Sequence, residues 1–155
     1  MEHTWTIKQM AEEDVAAVAA LEAENFSRPW SYDAFLKILS DENYIVMIAK
    51  KEDAFLGYCV LLCTGEEADI TNVCTAPSAR GKGVATEMLT ALMEEGRSRG
   101  VVEFFLEVRE SNTPARGLYT KLGFEEIGLR KNYYEEPREH AVLMKREYFD
   151  DKEEL

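Results

Sequence analysis

The sequence predicts a layered α/β or α+β domain, a mixed and mostly antiparallel sheet flanked by helices on both faces. Three observations predict it. Two apolar runs, Tyr44–Lys50 and Ala54–Thr64, flank the charged turn Lys51-Glu-Asp53, as the strands of a hairpin do. The stretch from Glu67 to Leu92 reads as a strand, a turn containing Pro77, a glycine-rich loop with two positive charges, and an amphipathic helix. Helix-period and strand-period segments alternate through the rest of the chain in the order β-α-α-β-β-β-α-β-α-β-β. The 155 residues suffice for one domain with a real core. That domain is expected over 1–149, with 150–155 an acidic tail that frays.

Each element has a local reason. Trp5–Lys8 alternates and reads as a first strand. Glu12–Asn25 is helical, with Val15, Val18, Ala19 and Leu21–Glu22 recurring on one face. Phe26-Ser-Arg-Pro-Trp30 breaks that helix, because Pro29 disfavours helix for the residue before it. Ser31 caps a second helix running to about Leu39. The hairpin follows, then a strand over Asp69–Thr75. The next helix carries Val84, Ala85, Met88, Leu89, Leu92 and Met93 on one face and ends at Gly100. Val101–Val108 reads as a strand that is apolar on both faces and therefore central. Thr113–Leu122 is a short helix stopped by Gly123, and Phe124–Tyr133 and His140–Arg146 are two closing strands.

Composition excludes several function classes. Apolar content is 46% and charged content 31%, ordinary for a globular chain. No apolar run approaches the roughly 20 residues that cross a bilayer, and the N-terminus lacks a secretion signal's basic start and apolar stretch. No membrane partner and a cytoplasmic location are expected. Cys59, Cys63 and Cys74 form neither a CxxC pair nor a metal spacing, so free buried thiols and no metal are expected. The net charge of −12 argues against nucleic acid and agrees with a basic partner.

The loop opening the third helix carries the strongest chemical signal. A helix N-terminus exposes unpaired N–H groups and a positive dipole end, which suits phosphate. Gly81 and Gly83 let backbone approach a ligand, while Arg80 and Lys82 add charge. The P-loop NTPase pattern needs Ser or Thr after the lysine, and Gly83 stands there. The dinucleotide pattern G-x-G-x-x-G needs a third small residue where Thr86 stands. What remains is Arg80-x-x-Gly83-x-Ala85, which resembles the acetyl-coenzyme A pyrophosphate loop of the GNAT N-acetyltransferase superfamily. The rival reading is a basic turn before a surface helix.

Four further segments narrow the resemblance. Phe26-Ser-x-Pro-Trp-Ser31, Leu106-Glu-Val-Arg-x-Ser-Asn112, Leu118-Tyr-x-Lys-x-Gly-Phe124 and Arg130-Lys-Asn-Tyr-Tyr134 are similar, in this order, to the bacterial ribosomal-protein-alanine N-acetyltransferase family. The resemblance covers nearly the whole chain. It implies a GNAT-like sheet, acetyl-coenzyme A as acetyl donor, and the α-amine of a ribosomal protein's N-terminal alanine as acceptor. The implied partner is thus a basic protein or peptide N-terminus.

Acetyl transfer to an amine requires proton removal from the ammonium, stabilisation of the thioester oxygen and protonation of the leaving thiolate. Glu107 is the candidate base, since apolar neighbours in a central strand would raise its proton affinity. The resemblance implies the same role, directly or through water. The alternative is a strand-end Glu facing solvent or paired with Arg109. The resemblance makes Tyr119 the acid for the thiolate, against a plain packing role on its helix. Asn112 suits both a bond to the pantetheine arm and a helix N-cap. By resemblance, the backbone N–H groups of Val73, Cys74 and Thr75 face the pantetheine and the thioester oxygen, and residues Arg80, Gly81, Lys82, Gly83, Val84 and Ala85 hold the pyrophosphate. Cys74 as a covalent nucleophile lacks a nearby histidine, so an inert thiol is the rival reading. Trp30, Tyr133, Tyr134 and Glu135–Glu136 are candidates for a groove that takes a basic N-terminal segment, their alternative being core packing or a solvated turn. Other acceptors also fit the fold, a small-molecule amine or a lysine side chain, as does a non-catalytic acyl-coenzyme A sensor.

Overall fold

The computed structural model describes residues 5–135 and 137–148. The tail at 150–155, His3 and Glu136 lie outside them. Seven strands form one sheet in the order β1-β2-β3-β4-β5-β7-β6. They are β1 (Thr6–Gln9), β2 (Tyr44–Lys51), β3 (Ala54–Thr64), β4 (Glu67–Thr75), β5 (Glu103–Arg109), β6 (Glu125–Glu135) and β7 (Arg138–Glu147). Every neighbouring pair is antiparallel except β4 and β5. The helices are α1 (Val15–Asn25), α2 (Tyr32–Ile38), α3 (Val84–Ser98) and α4 (Thr113–Lys121). The mixed, mostly antiparallel sheet with helices on both faces is as expected. Among the described residues, no helix is long and apolar enough to cross a membrane.

Strand alternation sorts the core into two layers. Ile45, Met47, Ala49, Cys59 and Leu61 join Val84, Met88, Leu89, Leu92 and Met93 of α3 on one face. Val46, Ile48, Tyr58 and Val60 join Val15, Val18 and Leu21 of α1 and Phe35 and Ile38 of α2 on the other. Gly96 lets α3 lie close to the sheet, since a Cβ there would meet Leu61 at 2.9 Å and Phe104 at 3.0 Å.

The feature that makes a site is a split in the sheet. β4 and β5 pair only through Glu67↔Glu103, Ala68↔Phe104 and Asp69↔Phe105. On its other edge β4 carries a bulge: Leu61 opposes Ile70 and Val60 opposes Asn72, leaving Thr71 unmatched. A bulge bends its strand and shifts the side-chain alternation by one. Before it, Ala68 and Ile70 face the α3 layer; after it, Cys74 joins the α1 layer and Asn72 reaches Glu22 of α1. β5 meanwhile stays paired with β7 along its whole length. The two central strands therefore diverge beyond Asp69.

β5 departs from expectation. Phe104, Leu106 and Val108 are buried in the α3 layer, but Phe105, Glu107 and Arg109 are only partly buried on the other face. The α1/α2 layer draws its sheet residues from β2, β3 and β4, so among the described residues that buried cluster does not extend over that face of β5. The closing hairpin is also longer than expected: β6 and β7 run into the segment Glu135–Arg138, and β6 is exposed along nearly all its length.

Candidate active site

The divergence of β4 from β5 opens a cleft of about 880 Å³. Its walls are β4 at Ile70–Val73, β5 at Leu106–Arg109, the α1–α2 connection at Asn25–Trp30, Tyr119 of α4, and the β6–β7 hairpin at Tyr133–Glu135. Of the residues singled out in the sequence, the cleft brings together Trp30, Val73, Glu107, Asn112, Tyr119, Tyr133, Tyr134 and Glu135. Cys74, Thr75 and the 80–85 loop do not line it.

Glu107 does not have the apolar surroundings expected of it. Its side chain is 26% exposed, and Arg130 Nε lies 3.0 Å from its Oε2. The same carboxylate, with some burial, pushes the Tyr133 phenol up. Arg109, the partner considered from the sequence, is engaged elsewhere: Nη1 donates to Pro137 O at 2.9 Å, and the guanidinium lies 4.4 Å from the Tyr134 ring centre. Burial first, then the charge of Glu107, moves the Tyr134 phenol up to about 12.

Tyr119 reaches the cleft from the opposite layer of the core. It is buried among α3 and α4 side chains and packs edge-on against Phe124 at 6.0 Å. Burial pushes its phenol well above the ordinary value, which makes it a weaker acid than a free phenol. The packing role and access to the cleft coexist. Asn112 caps α4, its Oδ1 accepting from Ala115 N at 3.2 Å, while also lining the cleft.

Trp30 and Cys74 are largely committed to packing. The Trp30 ring packs on Phe35 at 5.3 Å and on Tyr44 at 6.3 Å. Burial lifts the Cys74 thiol up to about 11, with Arg80 opposing, so it is a poor nucleophile at neutral pH. All three cysteines are free, two buried and Cys63 partly so. Among the described residues, no cluster could hold a metal ion.

The 80–85 loop follows a short 3₁₀ turn at Pro77–Ala79. Gly83 is the N-cap of α3, in the left-handed region at φ 94°, and no side chain caps the helix. A Cβ at Gly81 or Gly83 would meet nothing within 4 Å, so both glycines border open space. Arg80 folds back, Nε donating to Thr75 O at 3.1 Å and Nη2 to Asn25 Oδ1 at 3.1 Å. An uncapped helix start with two exposed glycines fits a pyrophosphate, and the split sheet fits an extended pantetheine arm.

Sequence reasoning missed one group. Glu22 is only 2% exposed beside the cleft, on the otherwise apolar face of α1. Its carboxylate accepts from the Tyr58 hydroxyl, from Trp30 N at 3.0 Å, and from Asn72 Nδ2 at 3.2 Å. This knot ties α1, the α1–α2 connection, β3 and the bulged part of β4 together. The signal was present: an acid inside the apolar stripe Val15, Val18, Leu21.

With this geometry in view, similarity to known proteins becomes informative. Residues 8–124 match the pattern of the acetyltransferase (GNAT) family. A ribosomal protein bS18-alanine N-acetyltransferase of Haemophilus influenzae is 34% identical over 141 residues, 89% of this chain and 95% of the relative. The protein of that name from Haemophilus ducreyi is 33% identical, over 89% and 97%. The crystal structure of the ribosomal-protein-S18-alanine N-acetyltransferase from Escherichia coli superimposes with a TM-score of 0.83 at 30% identity, covering 92% of this chain and 93% of that one.

Proposed function

The chain belongs to the acetyltransferase (GNAT) family and is an acetyl-coenzyme A-dependent N-acetyltransferase; from that premise we propose that it acetylates the α-amine of an N-terminal alanine on a basic ribosomal protein. The observation that carries the mechanism is the split between β4 and β5, which presents Glu107 from one layer of the sheet and Tyr119 from the other. The amine approaches on the Glu107 side, between the α1–α2 connection and the β6–β7 hairpin. Glu107 takes the ammonium proton, directly or through one water, and the free amine attacks the thioester carbon, forming the C–N bond as the C–S bond breaks. The backbone N–H of Val73, which lines the cleft, stabilises the charge that develops on the thioester oxygen, whereas that of Cys74 points toward β3, as Ala76 N does in donating to Leu56 O. Tyr119, protonated at neutral pH as phenols are, donates to the departing thiolate and recovers a proton from the acylated nitrogen. Acetyl-coenzyme A supplies the activated acetyl group, with its pyrophosphate at Arg80, Gly81, Lys82, Gly83, Val84 and Ala85, and Asn112 beside the pantetheine arm.

The acceptor assignment rests on the relatives' named substrate and on charge. A chain of net charge −12 attracts a basic segment, and its rate on basic peptides falls with added salt. An α-ammonium holds its proton less tightly than a lysine ammonium by about 2.5 pK units, which favours the α-amine. The test is an alanine-first peptide that also contains lysine, with the acetyl group located by mass spectrometry. Acetyl at the N-terminus supports the proposal. Acetyl on lysine, or no peptide product alongside rapid turnover of a small amine, overturns it. The same assignment puts the enzyme in the cytoplasm, with the ribosomal protein as its partner and no nucleic acid or membrane involved.

A further inference from the structure

Glu107 is already occupied by a cation in the free protein. Arg130 Nε meets Oε2 at 3.0 Å, and the guanidinium lies 5.1 Å from the ring centre of Tyr133. We propose that Arg130 competes with the acceptor's ammonium: its guanidinium holds the place at Glu107 that the substrate's α-ammonium takes, and it is displaced as the peptide binds. The inference rests on Glu107 being the group that receives the amine.

Three features make Arg130 displaceable. Its side chain is 56% exposed, so water screens its end of the pair with Glu107. It stands on the exposed edge strand β6. The register with β7 breaks between Arg130 and Tyr134, so the residues between lack the regular ladder that would fix the strand. Arg109, nearer in sequence to Glu107, is the contrast. It is held by Pro137 O, by Glu139 and by the Tyr134 ring, and cannot swing aside without losing all three.

The exchange has a consequence for the reaction cycle. The ammonium replaces one cation by another, so neither bound nor free enzyme carries a bare, partly buried carboxylate. Acetylation removes the charge from the substrate nitrogen. Once Glu107 has passed its proton to solvent, the amide cannot hold the carboxylate against Arg130, and re-pairing favours departure of product. Arg130 is a positioning residue that acts through Glu107, setting the preference for a cationic acceptor over its neutral product.

The test compares an alanine-first peptide with its N-acetylated form, each titrated calorimetrically into the protein with coenzyme A present. Arg130→Gln should tighten the unacetylated peptide by about two- to fivefold, fivefold corresponding to the 1 kcal/mol upper value of an exposed pair. The acetylated peptide should bind as to the parent. In steady state, KM for the peptide should fall by a similar factor with kcat little changed. Arg28→Gln removes a guanidinium that lines the cleft and pairs with Glu135 instead of Glu107, and controls for a general field effect. It should move the unacetylated peptide less. Weaker binding of both peptides, no change in either, or an equal effect of Arg28→Gln would each overturn the proposal. In a Glu107→Gln background the Arg130 substitution should do nothing, and a persisting effect also refutes it. If Glu107→Gln alone retains full kcat/KM, the base assignment fails instead, a result the binding comparison does not depend on.

Discussion

Replacing Glu22 with alanine should loosen the cleft wall built from α1, the α1–α2 connection, β3 and β4 more than any surface change. The carboxylate accepts from the Tyr58 hydroxyl, Asn72 Nδ2 and Trp30 N–H. Tyr58 is fully buried and Asn72 is 8% exposed, so water reaches their stranded donors poorly. Each stranded donor costs about 1–3 kcal/mol. Trp30 is only half-buried and regains some hydration, which brings the total to about 3–5 kcal/mol, the range for breaking a buried charged network. Urea unfolding followed by circular dichroism measures it directly. Adding Tyr58→Phe removes one stranded donor, so the double variant should lose less than the sum of the singles, with a coupling of about 0.5–3 kcal/mol. A loss below about 1 kcal/mol for Glu22→Ala, or strict additivity with Tyr58→Phe, would show that the knot does not hold the wall.

Further outcomes follow from single residues. Gly83→Val should weaken coenzyme A binding strongly in calorimetry, because its side chain enters the open space at the start of α3, and should also cost about 1–2 kcal/mol of stability for the left-handed backbone. Arg80→Ala should weaken binding less, since that guanidinium is tied to Thr75 O and Asn25; equal affinity of the Gly83 variant and parent would place the pyrophosphate elsewhere. Glu107→Gln should lower kcat/KM by about 10²–10⁴-fold with cofactor affinity intact. Tyr119→Phe should lower kcat through thiolate release, and parental activity in both variants would leave proximity alone to carry the reaction. Asp14 tests pH dependence. Burial raises its carboxyl, but the Ala11 N–H, Lys8 and Lys50 outweigh that and hold it below the usual 3.8. A depressed folded value stabilises above that pH and is lost as pH falls through the folded value. Asp14→Asn should therefore be less stable than parent at neutral pH, with the gap closing below about pH 4; a gap constant down to acid pH would exclude the charged bonds as its source.

Much of the fold was legible in local sequence. Ser31 caps α2, its Oγ accepting from Ala34 N at 3.1 Å, and Asn112 caps α4, both within three residues of their partners. The apolar face of α3 was readable except for Ala85, which is only half-buried. Of the site, Glu107, Tyr119, Asn112, Trp30, Tyr133 and Tyr134 were picked out and share one cleft. The environment of Glu107 was misjudged, because a run of apolar neighbours does not reveal which face of a strand a helix covers.

What the sequence determined by itself was periodicity, caps, turn glycines and the motif residues, since each depends on neighbours within a turn or a pleat. What only the tertiary structure decided was where those residues meet. The Thr71 bulge sets which side chains of β4 reach α1, and pairing that stops after Asp69 opens the cleft. Glu22 finds Tyr58 across 36 residues and Asn72 across 50, and Glu107 finds Arg130 on a strand two places away in the sheet. Such contacts depend on the register of distant strands, which is fixed by how whole layers pack and not by any local pattern.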